Sequence, residues 1–292
     1  MIPDGRGRVR LEYRIPARGL IGFHTERDRA HFLGAVEAVL GIGATAHGVL
    51  TLDGHVTKVV VTPIGIDADA FTAQAIRASR RVATKRMVES LAGRALMVGV
   101  DRLDYTKGLP ARLDAYGRFL STYPEHRRQI SFLQVAAPSR EEVDRYRALR
   151  EELNYKTGAI NGAYSDFDWV PLRYMNRTVS RSLIAGFYRT ARIGLVTPLR
   201  DGMNLVAKEY VAAQNAADPG VLILSRFAGA AAGLQEALKV NPIDIDSVAE
   251  AINRALIMPL DERQARHVAL LERVRAASAS VFCQTFTAAL TT

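Results

Sequence analysis

One cysteine, Cys283, stands in 292 residues. That excludes a disulfide framework and any metal centre built on thiolates, and a reducing cytoplasm is the expected compartment. The six histidines show no metal-ligand spacing, and no HExxH, phosphate-loop or GxSxG string occurs, so neither a metal nor the common nucleophile-elbow chemistry is implied. Long apolar runs are missing as well. The uncharged, apolar-leaning run at residues 38–52 has 15 residues with Gly and His inside, short of the ~18 that span a bilayer. The first eight residues lack the apolar core of a signal peptide. No membrane partner is expected.

Lysine is scarce. Of 39 cations six are Lys, and the net charge of +9, with a pI near 9.9, comes from Arg scattered among Asp and Glu. The densest cluster, Arg77, Arg80, Arg81, Lys85 and Arg86, lies on a helical stretch and reads as a solvated face, so no nucleic-acid partner is expected. A small anionic ligand fits the charge. With 48% hydrophobic residues the chain is neither disordered, collagen-like nor a coiled coil, and its length suits one large domain or two smaller ones.

Residues 19–24 read as a short buried strand, and Thr25 followed by Glu26 and Asp28 opens a helix running to about Leu40. Residues 47–52 and 56–62 are β-rich, and 68–91 form one long helical pattern. Beyond Arg94 apolar runs at 95–100, 130–135, 167–174, 193–196, 221–224 and 238–240 alternate with helical patterns. This order predicts an α/β fold with a parallel sheet covered on both faces, a Rossmann-like doubly wound domain over 94–258. Residues 1–93 are expected to be a partial first lobe with a linker helix, and 259–292 a single C-terminal helix.

Ligands of such sheets bind beyond the carboxyl ends of the strands, and three loops there are unusually polar. The first holds Arg102 and Lys107 around a helix start. Arg102 can fork onto phosphate oxygens and Lys107 can set a point charge beside them, as a diphosphate leaving group needs. A salt bridge from Arg102 to Asp101 or Asp104 is the alternative. The second loop reads Thr197-Pro198-Leu199-Arg200-Asp201-Gly202-Met203-Asn204-Leu205-Val206-Ala207-Lys208-Glu209. Gly202 allows a tight turn, the amides from about Asn204 to Ala207 form an anion site at a helix N-terminus, Asp201 can accept sugar hydroxyls, and Glu209 both hydroxyls of a ribose. An N-capping Asp and a surface Glu are the alternative. The third loop, Ser225-Arg226-Phe227-Ala228-Gly229-Ala230-Ala231-Ala232-Gly233-Leu234, lets a ligand approach its backbone or simply packs under a helix.

These strings, with Val100-Asp101-Arg102-Leu103-Asp104-Tyr105-Thr106-Lys107-Gly108 at their head, resemble the signatures of the trehalose-6-phosphate synthase family of retaining GT-B glycosyltransferases. Leu20-Ile21-Gly22-Phe23-His24-Thr25 and Pro63-Ile64-Gly65-Ile66-Asp67 resemble segments late in that family's first lobe. The resemblance implies a GT-B fold: one complete Rossmann-like domain plus the C-terminal remnant of a first lobe. It implies that Arg102 and Lys107 bind the UDP diphosphate, that Asp201 binds the donor glucose and with those two cations forms the catalytic set, and that Gly202, Met203, Asn204, Leu205, Val206, Ala207, Lys208 and Glu209 line the UDP-glucose site, Glu209 on the ribose. Val179 matches a backbone contact to uracil and Arg140 a contact to the acceptor phosphate.

The activity so implied is transfer of glucose from UDP-glucose to glucose 6-phosphate with retention, without cofactor or metal, in a family that commonly self-associates, so a homo-oligomer is among the expectations. Two alternatives stand beside it: an inactive UDP-sugar-binding remnant or subunit, and a sister transferase acting on another phosphorylated acceptor such as glycerol 3-phosphate. The family's N-terminal Gly-Gly loop and acceptor-pocket aromatics have no counterpart, so the chain is expected to begin late in the first lobe. Ala232-Gly233 stands where the family usually has an acidic residue before Leu234.

Overall fold

The computed structural model describes residues 2–3, 9–10, 18–139 and 144–291. The chain divides into two compact units, one of residues 1–63 with 282–292 and one of residues 64–281.

In the first unit Ile2–Pro3 (β1) pairs antiparallel with Val9–Arg10 (β2). A separate three-stranded sheet has Arg18–Phe23 (β3) parallel to His55–Val61 (β5), and Val49–Leu52 (β4) antiparallel to β5, in the order β3-β5-β4. Between β3 and β4 runs helix Glu26–Leu40 (α1). Its N-cap Thr25 accepts from the Asp28 amide, and Gly41 closes it in the left-handed conformation, the start and stop that its sequence signals.

The second unit is a six-stranded parallel sheet built from Ala95–Arg102 (β6), Ile130–Ala137 (β7), Leu172–Met175 (β8), Ile193–Val196 (β9), Val221–Ser225 (β10) and Leu238–Val240 (β11). Their order is β11-β10-β9-β6-β7-β8, the Rossmann order, which reverses direction between β6 and β9. Helices Leu109–Thr122 (α4), Asp144–Tyr164 (α5) and Ile245–Ile257 (α8) cover one face. Helices Ala68–Ser79 (α2), Val82–Glu89 (α3), Arg181–Thr190 (α6), Leu205–Ala213 (α7) and Leu260–Ala276 (α9) belong to the other. The strands feed both layers alternately: Leu96 and Val98 of β6 join the α2/α6/α7 core, while Met97 between them joins the α4/α8 core. Being apolar on both faces, such strands read as continuous hydrophobic runs. At Gly194 in β9 a Cβ would lie 2.7 Å from the ring of Tyr210, so the absent side chain is what lets α7 seat its largest buried residue on the sheet.

Three expectations change. The single helix over 68–91 is two, because Arg81 is extended (φ −70°, ψ 146°) and the Thr84 hydroxyl donates to the Ala78 carbonyl (2.9 Å), giving the last turn of α2 a partner that a continuous helix would have supplied. Both helices belong to the second unit. The C-terminal helix is likewise two, α9 and Ala279–Thr291 (α10), with the Ser278 hydroxyl accepting from the Val281 amide (3.2 Å) at the restart. The strand expected over 167–174 begins only at Leu172. Asp166 and Trp169 exchange backbone hydrogen bonds in a tight turn, and Pro171 has no amide to donate.

Arg77, Arg80, Arg81, Lys85 and Arg86 are all exposed. Among the described residues no helix is long and apolar enough to cross a membrane, and no group of three or more His, Cys, Asp or Glu side chains is arranged to hold a metal ion.

Candidate functional site

The sheet order reverses between β6 and β9, and the carboxyl edge at such a reversal is where doubly wound sheets form a ligand crevice. After β6 comes a 3-10 turn, Tyr105–Lys107, capped by Asp104, whose carboxylate accepts from the Thr106 amide (2.8 Å) and hydroxyl (2.7 Å). Partial burial works to raise this carboxyl, yet the Thr106 hydrogen bonds and the charges of Lys107 and Arg102 hold it below the usual carboxylate range. The Thr106 carbonyl then accepts from the amides of Leu199 (2.8 Å) and Arg200 (3.2 Å), which binds the loop after β6 to the loop after β9. Lys107 Nζ consequently meets Asp201 Oδ2 at 2.6 Å, each side chain about 15% exposed, so the pair keeps an edge open to solvent.

Asp201 is the hub of the second loop. Its Oδ2 also accepts from Asn204 Nδ2 (3.0 Å) and its Oδ1 from the Met203 amide (3.3 Å). The third loop clasps its backbone: the Asp201 amide donates to the Phe227 carbonyl (3.4 Å), and the Asp201 carbonyl accepts from the Gly229 amide (2.9 Å). Small residues here serve that clasp, with Gly229, Ala230 and Ala231 buried in a 3-10 turn. The sharp bend expected at Gly202 lies instead at Asn204, which is left-handed (φ 75°); a Cβ on Gly202 would meet nothing within 4 Å. Asn204 caps α7 through its side-chain oxygen on the Ala207 amide (3.3 Å), and the first-turn amides ahead of it have no intrahelical acceptor. Leu205 and Val206 are half-buried against the core and Ala207 is buried.

One turn into α7, Lys208 turns inward and donates to the Ile64 carbonyl (2.7 Å); burial pushes its ammonium down to about 8. Glu209 turns the other way. Its Oε1 accepts from Arg181 Nε (3.1 Å) and Nη2 (2.7 Å), and burial raises its carboxyl while that guanidinium works against the rise. The surface Glu of the alternative reading is therefore a largely buried carboxylate with one oxygen committed to a partner.

Arg102 ends β6 exposed, and among the described residues it has no ion-pair partner. Of its two suggested partners, Asp104 caps the 3-10 turn through Thr106 and Asp101 is bound elsewhere. Its carboxylate pairs with Arg112 of α4, both wholly buried. Val179 lies half-buried between β8 and α6, ahead of the α6 N-cap Ser180. Arg140 lies outside the described residues.

The sequence reading missed Arg112, Thr197, Gln134 and Arg181. Arg112 Nε donates to Thr197 Oγ1 (2.8 Å), Nη1 to Gln134 Oε1 (3.0 Å) and to Asp101, and Nη2 to the Lys107 carbonyl (3.3 Å). The available signal was Gln134, an amide in the middle of a strand whose one other polar residue is Ser131 near its start, since a buried amide implies a partner.

The family model for Glycosyltransferase family 20 matches residues 15–292. A trehalose-6-phosphate synthase of Sinorhizobium fredii is 47% identical over 268 residues, covering 91% of this chain and 58% of that protein. The Burkholderia xenovorans UDP-forming α,α-trehalose-phosphate synthase, solved in complex with glucose-6-phosphate, superposes with a TM-score of 0.92 at 42% identity over 94% of this chain and 61% of that one. An E. coli relative bound with UDP-2-fluoro glucose gives 0.88 at 42% identity, over 93% and 60%. The chain thus spans somewhat more than half the length of the relatives it matches.

Proposed function

The chain belongs to glycosyltransferase family 20, and from that premise we propose that the crevice between β6 and β9 binds UDP-glucose and serves transfer of glucose to glucose 6-phosphate, with retention at the anomeric carbon. The observation that carries this reading is the Lys107–Asp201 pair, a cation and a sugar-accepting carboxylate held side by side at the start of α7. An ammonium has three donors; Asp201 takes one, and the others suit the oxygens of a diphosphate. Arg102 supplies a second cation and the α7 amides a third source of positive potential. As the bond between glucose and the diphosphate breaks, negative charge grows on the leaving oxygens. Donors fixed in advance around that position stabilise it without reorganising.

Glu209, with Oε1 held by Arg181, keeps Oε2 for ribose hydroxyls. Asp201 accepts from hydroxyls of the donor glucose and so fixes the ring against the leaving group. On this reading the departing phosphate oxygen takes the proton of the acceptor hydroxyl, which attacks from the same face, so that no carboxylate nucleophile is needed and configuration is retained. The solved complexes of one relative with glucose-6-phosphate and of another with UDP-2-fluoro glucose support the choice of substrates.

Calorimetry with UDP and uridine tests the site, with UDP expected to bind at least tenfold more tightly, on the order of 1.4 kcal/mol or more for charge-assisted phosphate contacts. Equal affinities refute it. A UDP-release assay in which UDP-glucose is turned over with glucose 6-phosphate and competed with glycerol 3-phosphate tests the acceptor; faster turnover with glycerol 3-phosphate would reassign it.

A further inference from the structure

Arg112 meets the expected donor set at one point, the Lys107 carbonyl, and ties together the two loops that carry Lys107 and Asp201. It rises from the first turn of α4 into the layer between helix and sheet, where its side chain is fully buried. There it reaches three adjacent strands at once: Asp101 near the end of β6, Gln134 in β7 and Thr197 just past β9. Its remaining reach goes to the carbonyl of Lys107 itself. Four of its five donors' directions are thereby used, a pattern that the rigid guanidinium fork can satisfy and a lysine cannot. The strand beneath is cleared for it. At Gly99 a Cβ would lie 2.6 Å from Gln134 Oε1 and 3.0 Å from Arg112 Nη1, so glycine is the residue that lets the guanidinium and the amide meet there.

Coupling these contacts has a geometric consequence. The position of Lys107 relative to Asp201 depends on how the loop after β6 sits against the loop after β9. Arg112 holds the first through the Lys107 carbonyl and the second through the Thr197 hydroxyl. We propose that Arg112 is a positioning residue for the transfer reaction: a single buried guanidinium that sets the spacing of the two loops at the sheet reversal and so aims Lys107 at the diphosphate. The proposal rests on the reading of Lys107 as a phosphate contact.

Removing Arg112 alone would strand the Asp101 carboxylate in the interior, so the informative variant removes both charges, Asp101→Asn with Arg112→Met, which leaves no unpaired buried ion. UDP affinity is expected to fall about tenfold and uridine affinity less than about twofold, because only the diphosphate contact depends on Lys107 being aimed. Lys107→Ala gives the reference, and it is expected to lower UDP affinity and spare uridine. In the Lys107→Ala background the double variant should then cost nothing further in UDP affinity, since residues acting through one contact are not additive.

If Lys107→Ala leaves the UDP-to-uridine ratio unchanged, the phosphate reading fails, and the positioning role with it. If Lys107→Ala lowers the ratio while the Asp101/Arg112 variant keeps the native one, the positioning role alone is overturned. Additive losses in the combined variant overturn it as well, because a merely structural Arg112 would depress binding independently of Lys107. Should the double variant fail to fold, Thr197→Val decides the matter: it keeps the Asp101–Arg112 pair and removes one tie. A drop of about threefold in the same ratio supports the role and an unchanged ratio overturns it.

Discussion

Asn204 carries three loads at one position, and separating them tests how the second loop is built. Its backbone is left-handed (φ 75°), its side-chain oxygen accepts from the Ala207 amide at 3.3 Å, and its side-chain nitrogen donates to Asp201 at 3.0 Å. Asn204→Ala removes the cap, worth about 1 kcal/mol. It leaves a Cβ residue without local side-chain bonds in a conformation that costs roughly 1–2 kcal/mol, and it takes one donor of about 1.5 kcal/mol from a carboxylate. The total is about 3.5–4.5 kcal/mol. Asn204→Gly loses the same donor but relieves the backbone and caps nearly as well as Asn. Glycine therefore retains about 2–3 kcal/mol that alanine loses, less about 1 kcal/mol for its greater chain entropy, a net of about 1–2 kcal/mol. At about 2–4 °C per kcal/mol for a unit of some 200 residues, the Gly variant should melt about 2–8 °C above the Ala variant in circular dichroism. Melting temperatures that agree to within about 1 °C would refute the claim that left-handed geometry at Asn204 shapes the loop.

Gly194→Ala should destabilise the second unit by about 1–3 kcal/mol in urea unfolding, because the new methyl would lie 2.7 Å from the Tyr210 ring atoms. Arg181→Met should make UDP binding, followed by calorimetry from pH 8 down to 5, weaken at a higher pH than in the native chain: burial already raises the Glu209 carboxyl, and the guanidinium that opposes this rise is removed. The Lys208 ammonium, down at about 8 through burial, is charged in the unfolded chain up to about 10.4, so the unfolded state binds more protons between those values and stability should climb by at most about 1.4 kcal/mol per pH unit as pH rises through that window. Lys208→Met should flatten the climb in urea midpoints measured from pH 7.5 to 10.

The sheet was legible because strands buried on both faces are continuous apolar runs. β6, β7, β9, β10 and β11 fall within a residue or two of the expected runs. The helix breaks were not, because the apolar period carries across them. Phe71, Ala75 and Ala78 of α2 and then Thr84 of α3 are buried on either side of Arg80 and Arg81, and no Gly or Pro marks the stop. The tight turn around Phe167 escaped for the opposite reason: Trp169 and Leu172 are buried and apolar, so the segment resembles a strand until the Asp166–Trp169 backbone pairing is seen.

In the candidate site, Lys107 and Asp201 stood out as charges in loops that follow apolar strands, although 94 residues separate them in the chain. Arg112 could not stand out in that way. An arginine in an amphipathic helix reads as solvated, more so in a chain where 33 of 39 cations are Arg, and its partners sit 11, 22 and 85 residues away, two on different strands and one just past a third. What sequence does expose is the other side of the same ledger. Asp101 closes an apolar strand and Gln134 interrupts one, and neither can be buried without a donor. A carboxylate and an amide on neighbouring parallel strands face the same layer of helices. The helix that follows β6 is the nearest source of a counter-charge, and Arg112 is the cation in its first turn, so the buried acceptors, rather than the arginine, are the residues from which this network can be read.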